Sequence, residues 1–272
     1  MNIEDLTIQG HFVFNGTCGA PQYGLNFNNA GGSVNNVTIA GITQDSGCAN
    51  AFGIRADSSG TFRQISVTGV TVTNYEKAGI LANGDLSMNI SATTVGPPDP
   101  TVSRLNAQNG IQYGFGAIGS ISHSTVIGSG FGSASTPAVS ILITGASGVK
   151  IISNTLTGAG VDIGISIVNG SSNTLVESNS IGRTSADSPD SFGLGVRVAG
   201  SVATTLVCNT FANWITNVSG AEESPCPSPP CPPSFLAGYW LAADDGGVFS
   251  FGDAVCHGSL PGIPTIPVSS AV

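Results

Sequence analysis

The side chains that could carry acid–base chemistry are few. Lys and Arg together number 7, Asp and Glu 16, and His 3. A lysine or tyrosine can remove a proton when it is held close to a substrate, and an arginine can neutralise the charge that develops. Lys77, Arg104 and Tyr75 are candidates for this chemistry, because all three fall between stretches that alternate like strands. The alternative is that they are ordinary side chains of solvated loops.

His123 is a further catalytic candidate, because it interrupts a repeated position that is otherwise occupied by small residues. The row is Gly10, Gly41, Gly69, Ala92, His123, Ser153, Ser178 and Cys208. A nucleophilic dyad needs an activated partner and an oxyanion hole, and only Ser153 in the next unit is suitably placed. The pattern therefore favours a structural explanation of His123 over catalysis.

The composition excludes several classes of function. Charged residues make up 8% of the chain and the formal net charge is −9. A sequence-independent nucleic-acid binder needs a basic patch, and the few basic residues here are scattered. There is no apolar run near 18 residues, so no membrane span is expected. No cluster of Cys and His has zinc spacing, so we expect neither a metal nor another cofactor.

Apolar residues recur with a period of about 28 residues, and the rows around them alternate like strands. The first anchors are Ile8, Ile39, Val67, Ile90, Ile121, Ile151, Val176 and Leu206. A second strand in each unit is anchored by Leu25, Ile54, Ile80, Ile111, Ile141, Ile165 and Val196, with Ile215 as a candidate eighth. Six of the seven residues that precede this second set are glycine. We therefore expect a close approach there that a Cβ would obstruct.

Units of this size cannot bury their own apolar face and must stack on one another, which predicts a parallel β-solenoid. The units resemble those of the right-handed parallel β-helix proteins of the pectate-lyase-like superfamily, as in Val149 to Leu156 and Thr174 to Ile181. The resemblance covers residues 3–218 and implies an all-β, right-handed, single-stranded parallel β-helix of about eight coils. Asn154, Asn179 and Asn209 share one register, preceded by Ser124 and Thr93, and look like the turn ladder of such helices.

The outward row of the second strands reads Asn26, Arg55, Leu81, Gln112, Leu142, Ser166 and Arg197. Arg55, Gln112 and Arg197 are candidate binding residues on this row, which could follow an extended polysaccharide or be plain solvent surface. Arg55 and Arg197 lie five strand spacings apart, roughly 24 Å, so they cannot share one active centre. Arg55 is expected to form an ion pair with Asp57.

The longer insertions leave one corner of the solenoid and are expected to form a wall along one side. Binding candidates on this wall are Asp187 and Asp190, with Tyr75 in a shorter loop beside them. Arg183 belongs to the same wall. Function in repeat scaffolds tends to lie on such loops, although solvated loops without a function are the alternative.

The cysteines favour an oxidising compartment. Cys18 and Cys48 are about one repeat apart, so stacking would bring them within reach of a disulfide, although two stacked core residues are the alternative. The pairing of the other four cysteines is left open. The chain opens directly on a strand pattern, so a signal peptide is expected to lie outside it.

The composition changes after the solenoid, which is predicted to occupy residues 1–219. Residues 220–234 read as a Pro-rich linker. Residues 235–272 contain a predicted β-hairpin. This segment resembles one copy of the GYWL…DGG…FGDA repeat of secreted actinobacterial proteins, which implies a fragment of a propeller-like blade.

The leading hypothesis is a secreted or cell-surface β-helix module, structural or in contact with a polysaccharide or cell-wall glycan. It would have no recognisable catalytic site, because the clustered Asp, Gly-His-Gly and Arg-x-Lys motifs of polygalacturonase-like enzymes are missing from the solenoid. The alternative is a polysaccharide-active enzyme (a lyase, glycoside hydrolase or epimerase) that uses the loop wall.

Overall fold

The computed structural model describes residues 1–10, 19–44, 48–98, 106–131, 135–184, 192–200, 203–227, 239–242 and 248–251. Cys18, Arg104, Asp187 and Asp190, which the sequence analysis singles out, lie outside these residues. The described chain is all-β. Its strands are β1 (Asn2–Glu4), β2 (Thr7–Gln9), β3 (Gln22–Asn28), β4 (Gly32–Asn35), β5 (Thr38–Ile42), β6 (Ala51–Thr68), β7 (Thr71–Tyr75), β8 (Ala78–Ser91), β9 (Thr94–Val95), β10 (Asn109–Gly114), β11 (Ile118–Ser122), β12 (Thr125–Ile127), β13 (Val139–Thr144), β14 (Lys150–Ile152), β15 (Thr155–Thr157), β16 (Ile163–Val168), β17 (Leu175–Glu177), β18 (Ser180–Gly182), β19 (Leu194–Ala199), β20 (Thr205–Val207), β21 (Thr210–Ala212), β22 (Thr216–Ser219), β23 (Glu223–Ser224), β24 (Tyr239–Ala242) and β25 (Val248–Phe251).

The strands up to β23 form a parallel β-solenoid, which confirms the predicted fold class. Its eight-stranded sheet has the order β2-β5-β7-β9-β12-β15-β18-β21, so each strand pairs with the corresponding strand of the next unit. A larger sheet contains the remaining solenoid strands. Within it, β6 and β8 are long enough to pair with β3 and β10 near their starts and with β4 and β11 near their ends. We call the front sheet the part made by β3, the starts of β6 and β8, β10, β13, β16, β19 and β22.

The front-sheet anchors stack in register, as the repeat predicted. Leu25 pairs with Ile54, Ile54 with Ile80, and Ile165 with Val196. The intervening pairs Ile80–Ile111, Ile111–Ile141 and Ile141–Ile165 complete the row. The candidate eighth anchor was wrong, because Val196 pairs with Val218, whereas Ile215 is 65% exposed.

The other predicted anchor row is correct for six of its eight members. Val67, Ile90, Ile121, Ile151, Val176 and Leu206 pair in sequence and are buried. Ile8 and Ile39 were wrongly added, because they belong to the eight-stranded sheet and the row begins with Ile3 and Val34. Two alternating strands follow each other within five residues in every unit, so alternation alone does not distinguish them.

The glycine row has the cause that the sequence suggested. A Cβ on Gly53 would lie 2.3 Å from Val72 Cγ1 and 2.6 Å from the Gly79 carbonyl oxygen. At Gly110 the corresponding contacts, to Val126 Cγ1 and the Ser140 oxygen, would both be 2.5 Å. Core side chains of the eight-stranded sheet fill the space beside the front strands, so a side chain there would overpack the core.

The predicted polar ladder is present at the corner that leads into the eight-stranded sheet. Asn154 Nδ2 donates to Asn179 Oδ1 at 2.9 Å, and Asn179 Nδ2 donates to Asn209 Oδ1 at 2.9 Å. Ser124 and Thr93 continue the ladder, through Ser124 N to Asn154 Oδ1 and Thr93 N to Ser124 Oγ. Stacked amides thus satisfy polar groups that burial would otherwise leave without partners.

The chain divides into two compact units, Met1–Ser224 and Pro225–Val272. The first extends slightly beyond the predicted boundary at residue 219, because Glu223–Ser224 pairs with Leu206–Val207. In the second unit, Tyr239–Ala242 and Val248–Phe251 pair antiparallel, as a hairpin requires. Cys48, Cys208 and Cys226 are each disulfide-bonded.

In the described part of the chain, no helix is long and apolar enough to cross a membrane.

Candidate functional site

The predicted outward row lies on the front sheet with the register expected from the sequence. Arg55, Leu81, Gln112, Leu142, Ser166 and Arg197 are consecutive partners, and Asn26 precedes Arg55. The row is less exposed than a plain solvent surface, since Leu81 and Ser166 are buried. Arg55, Gln112 and Arg197 are half-buried. The front sheet is therefore partly sheltered by its surroundings.

An aromatic platform lies at the β3–β6 end of this row. The rings of Tyr23 and Phe52 stack with centroids 6.0 Å apart and an interplanar angle of 25°. The Arg55 guanidinium lies over both rings, 5.2 Å from the Tyr23 centroid and 5.7 Å from that of Phe52. It donates to Tyr23 Oη and forms the predicted ion pair with Asp57. Rings and guanidinium are thereby held as one rigid surface.

The electrostatics of the platform keep Arg55 charged. Burial by itself lowers the pKa of Arg55, but the hydrogen bond and charge of Asp57 and the contact with Tyr23 outweigh it, so the pKa is raised. A guanidinium so held can orient a ligand without changing its protonation state.

A hollow of about 350 Å³ adjoins the platform. Asp57 and Asn83 line it, and Asn83 Nδ2 donates to Asp57 Oδ1 at 3.3 Å. Asn28 and Asn29 line its other side, and Phe115, which is 73% exposed, stands at its edge. Amides, a carboxylate and an exposed ring thus converge at one point. Amide and carboxylate groups bind hydroxyls, and the ring supplies an apolar contact.

A second hollow, which we call the trough, continues along the front sheet and has a volume of about 220 Å³. Its lining includes Lys77 beside the start of β8, Asn109 on β10, Ser166 on β16 and Arg197 on β19. Those strands span four strand spacings, about 19 Å. Of the described residues that line it, none is acidic. The structure thus brings together Lys77 and Arg197, which the sequence had assigned to separate features.

The polar side chains of the trough differ in whether they already have hydrogen-bond partners. Lys77 Nζ donates to the Ala107 carbonyl oxygen at 2.6 Å, and burial lowers the pKa of Lys77 although the adjacent Glu76 raises it. Asn109 Nδ2 donates to Gln112 Oε1 at 2.9 Å, which ties the predicted binding residue Gln112 to the trough. Arg197 makes no hydrogen bond or ion pair with any described residue. Its guanidinium is therefore available to a ligand.

The assignment of Tyr75 to a loop surface was wrong. Its side chain is fully buried, and within the described structure its hydroxyl has no hydrogen-bond partner. Burial raises the pKa of Tyr75 well above that of an exposed tyrosine. Alternation from the buried Val72 would point Tyr75 outward, but Asn74 has a φ of +51° and interrupts the alternation, so Tyr75 packs into the core instead of facing a ligand.

Two buried carboxylates that organise the loops were missed from the sequence. Glu76 accepts from Gln44 N at 2.8 Å, Ala49 N at 2.9 Å and Asn106 Nδ2 at 3.0 Å. Burial raises the pKa of Glu76, and these hydrogen bonds oppose the shift. Glu76 thereby fastens segments from two neighbouring units. Its place directly after a strand was the only sequence signal, and it did not distinguish this role from an exposed acid.

Asp162 fastens loop segments in the same way on one side of the trough. Its Oδ2 accepts from Ala138 N at 2.8 Å and from Phe131 N at 3.1 Å. Thr136 and Pro137, which line the trough, directly precede Ala138. Asp162 therefore positions this part of the trough wall.

His123 lies away from the front sheet, at the exposed corner between β11 and β12. Its φ is +48°, and Ala92, Ser153, Ser178 and Cys208 of the same row also have positive φ. Most of the row therefore shares a left-handed corner conformation, which Ala, Ser and Cys adopt here as well as His and Gly. This explains the position of His123 without catalysis.

Arg183 is not displayed on an exposed wall either. It is buried, donates from Nε to the Asn213 carbonyl oxygen at 2.6 Å, and lies 5.2 Å from the ring centroid of Trp214. Arg104, Asp187 and Asp190 lie outside the described residues. Among those described, no group of three or more His, Cys, Asp or Glu is arranged to hold a metal ion.

No protein-family model matches the chain, and neither does any curated protein. A solved structure that is similar is DFA-IIIase from Arthrobacter chlorophenolicus A6 in complex with GF2, with a TM-score of 0.53 and 13% sequence identity. The match covers 75% of this chain and 50% of that one, so this chain spans about half the length of the neighbour. At that identity the likeness shows the fold alone.

Proposed function

We propose that the solenoid is a secreted or cell-surface module that binds an extended glycan along its front sheet. The observation that carries the proposal is the alignment of the Tyr23–Phe52–Arg55 platform and the trough on one outward face. Sugar rings offer apolar faces to aromatic side chains and hydroxyls to amides and carboxylates. A series of such contacts suits a chain of repeating sugars better than a compact ligand.

Two further facts support this proposal. The neighbour of similar fold was solved in complex with GF2, so a protein of this fold holds a ligand, although the likeness does not carry its site over to this chain. The disulfide-bonded cysteines fit an extracellular location, because cytosolic thiols are normally kept reduced.

The proposal is tested by measuring the affinity of the full chain for a panel of neutral and acidic oligosaccharides, using calorimetry. Phe52→Ala removes one ring of the platform, and Phe62→Ala removes an exposed ring that lines neither hollow. We expect binding of at least one oligosaccharide, weakened about tenfold or more by Phe52→Ala and unchanged by Phe62→Ala, with circular dichroism showing both variants folded. Absence of binding throughout the panel, or equal loss in both variants, would overturn the proposal.

A second candidate, a polysaccharide lyase that removes a proton from its substrate, is favoured by one observation. Lys77 lines an open trough and burial lowers its pKa, which increases the fraction of neutral amine available as a base. Unsaturated uronate absorbance and new reducing ends should then form with a substrate of the panel. Product that disappears in Lys77→Met would establish the enzyme. Binding without product would leave the glycan-binding module.

A further inference from the structure

We propose that the trough selects glycans that carry oxyanion groups, either carboxylates or sulfates. This inference rests on the proposed glycan-binding function and specifies the chemistry of its ligand. The trough brings two of the chain's 7 basic residues, Lys77 and Arg197, to one hollow that no described acidic residue lines. Leu142 and Ser166 also line it, on the intervening strands β13 and β16.

Arg197 is equipped to receive an anion. Its guanidinium is half-buried and makes no hydrogen bond or ion pair with the described residues, so its five N–H donors are unused there. The planar fork of a guanidinium matches the two oxygens of a carboxylate or sulfate. A partly desolvated cation also gains more from an anionic partner than an exposed one, because water screens the attraction less.

Lys77 offers a point charge at the opposite end. Its one described hydrogen bond, to the Ala107 carbonyl oxygen, leaves two of three ammonium donors for a ligand. The adjacent Glu76 does not form an ion pair with it. The ion pair among the described residues is Arg55–Asp57. The Glu76 carboxylate instead accepts hydrogen bonds from Gln44 N, Ala49 N and Asn106 Nδ2. An anionic group of a ligand could therefore pair directly with the ammonium, whereas Glu76 acts on the pKa of Lys77 only through its charge.

The charge of the whole molecule makes these two cations decisive. With a formal net charge of −9, the chain as a whole repels an anionic polymer. Only a local cationic site can hold such a ligand in register. The trough extends over four strand spacings, about 19 Å, so a ligand that lies across these strands can bring successive anionic groups to Lys77 and Arg197. The arrangement fits charges repeated along a chain.

The experiment compares one neutral oligosaccharide series with its carboxylated and its sulfated counterparts of equal length, by calorimetry at low and high salt. We expect the wild-type chain to bind one anionic form at least tenfold more tightly than the neutral form. This preference should shrink as the salt concentration is raised. Comparing the carboxylated with the sulfated oligosaccharides identifies which oxyanion is preferred. Inorganic sulfate is measured beside them and should bind far more weakly than the sulfated oligomer.

The variants separate this inference from the proposed function. Lys77→Met and Arg197→Gln should each reduce the anionic preference, measured as the ratio of the affinities for the anionic and the neutral form, to within about threefold of unity. The matched control, Lys150→Met, alters the chain's other lysine, which is exposed and lies outside the trough, and should keep the preference. Equal wild-type affinity for neutral and anionic forms, or a preference that survives both trough variants, would overturn this inference and leave glycan binding intact. Absence of any binding would instead overturn the proposed function.

Discussion

The substitution Asn179→Ala tests whether the polar ladder stabilises the stacking of the solenoid. The Asn179 side chain accepts from Asn154 N and Asn154 Nδ2 and donates to Asn209 Oδ1, each at 2.9 Å. It also donates to the Ile151 carbonyl oxygen at 2.9 Å. Asn179 is buried, so water does not replace these partners without reorganisation of the corner.

The magnitude follows from the groups that lose a partner. A buried donor left unsatisfied costs about 1–3 kcal/mol, and each other hydrogen bond lost contributes a net ~0.5–1.5 kcal/mol. With the Asn154 backbone N–H left without its acceptor and three further bonds lost, the free energy of unfolding should fall by about 2.5–7.5 kcal/mol. That is a large part of the ~5–15 kcal/mol that stabilises an ordinary domain.

Urea unfolding, followed by circular dichroism, measures this loss. The matched control is Asn217→Ala, in an exposed position of β22, which should change the free energy of unfolding by less than about 0.5 kcal/mol. The midpoint should shift with an unchanged dependence on urea, because the surface exposed on unfolding is the same. A loss at Asn179 no larger than at Asn217 would refute the view that the ladder holds the corner.

Three further outcomes are expected. Gly110→Ala places a Cβ 2.5 Å from a core methyl and a carbonyl oxygen, and should lower the free energy of unfolding in urea by at least ~1–3 kcal/mol. Gly182→Ala, whose Cβ would meet ordinary contacts at 3.5 Å, should be tolerated. Equal effects of the two substitutions would contradict the packing argument. Burial raises the pKa of Glu76 in the folded state, so the contribution of Glu76 to stability is greatest at low pH and falls as the pH rises from near 4.5 through the folded-state pKa. Glu76→Gln should abolish this pH dependence of the free energy of unfolding. A stability advantage of the wild type over Glu76→Gln that grows with pH would show that the sign is wrong. A non-reduced peptide map should show Cys18 linked to Cys48, closing a loop of about 30 residues worth ~3.5 kcal/mol, and a different partner for Cys48 would disprove the pairing.

The repeat was accessible from the sequence because stacking imposes the same restriction on every unit. Ile54, Ile80 and Ile111 occupy equivalent positions, so each must be apolar, and their neighbours Gly53, Gly79 and Gly110 must each leave room for the core. Ile8 and Ile39 were misassigned because two similar strands follow closely there, and alternation then fits either strand. Ile215 was misassigned in the last unit, where Val218 holds the anchor position.

The candidate site was only partly accessible, because its residues meet through loop paths and side-chain length. Arg197 was assigned to the outward row by alternation, and Lys77 to a loop by its position after a strand. Nothing in their spacing showed that both line one trough, nor that Tyr75 turns into the core. Loops have no period, so the course they take is set by contacts such as those of Glu76 and Asp162.

By itself, the sequence determined the parallel solenoid, its register over most units, the amide ladder and the Arg55–Asp57 pair. These features follow from local alternation or from equivalent positions one repeat apart, so they are written as periodic patterns. Only the tertiary structure decided that Lys77 and Arg197 face a common trough and that Tyr23 and Phe52 form a platform for Arg55. Those arrangements depend on the conformations of individual long side chains, which the repeat in the sequence does not determine.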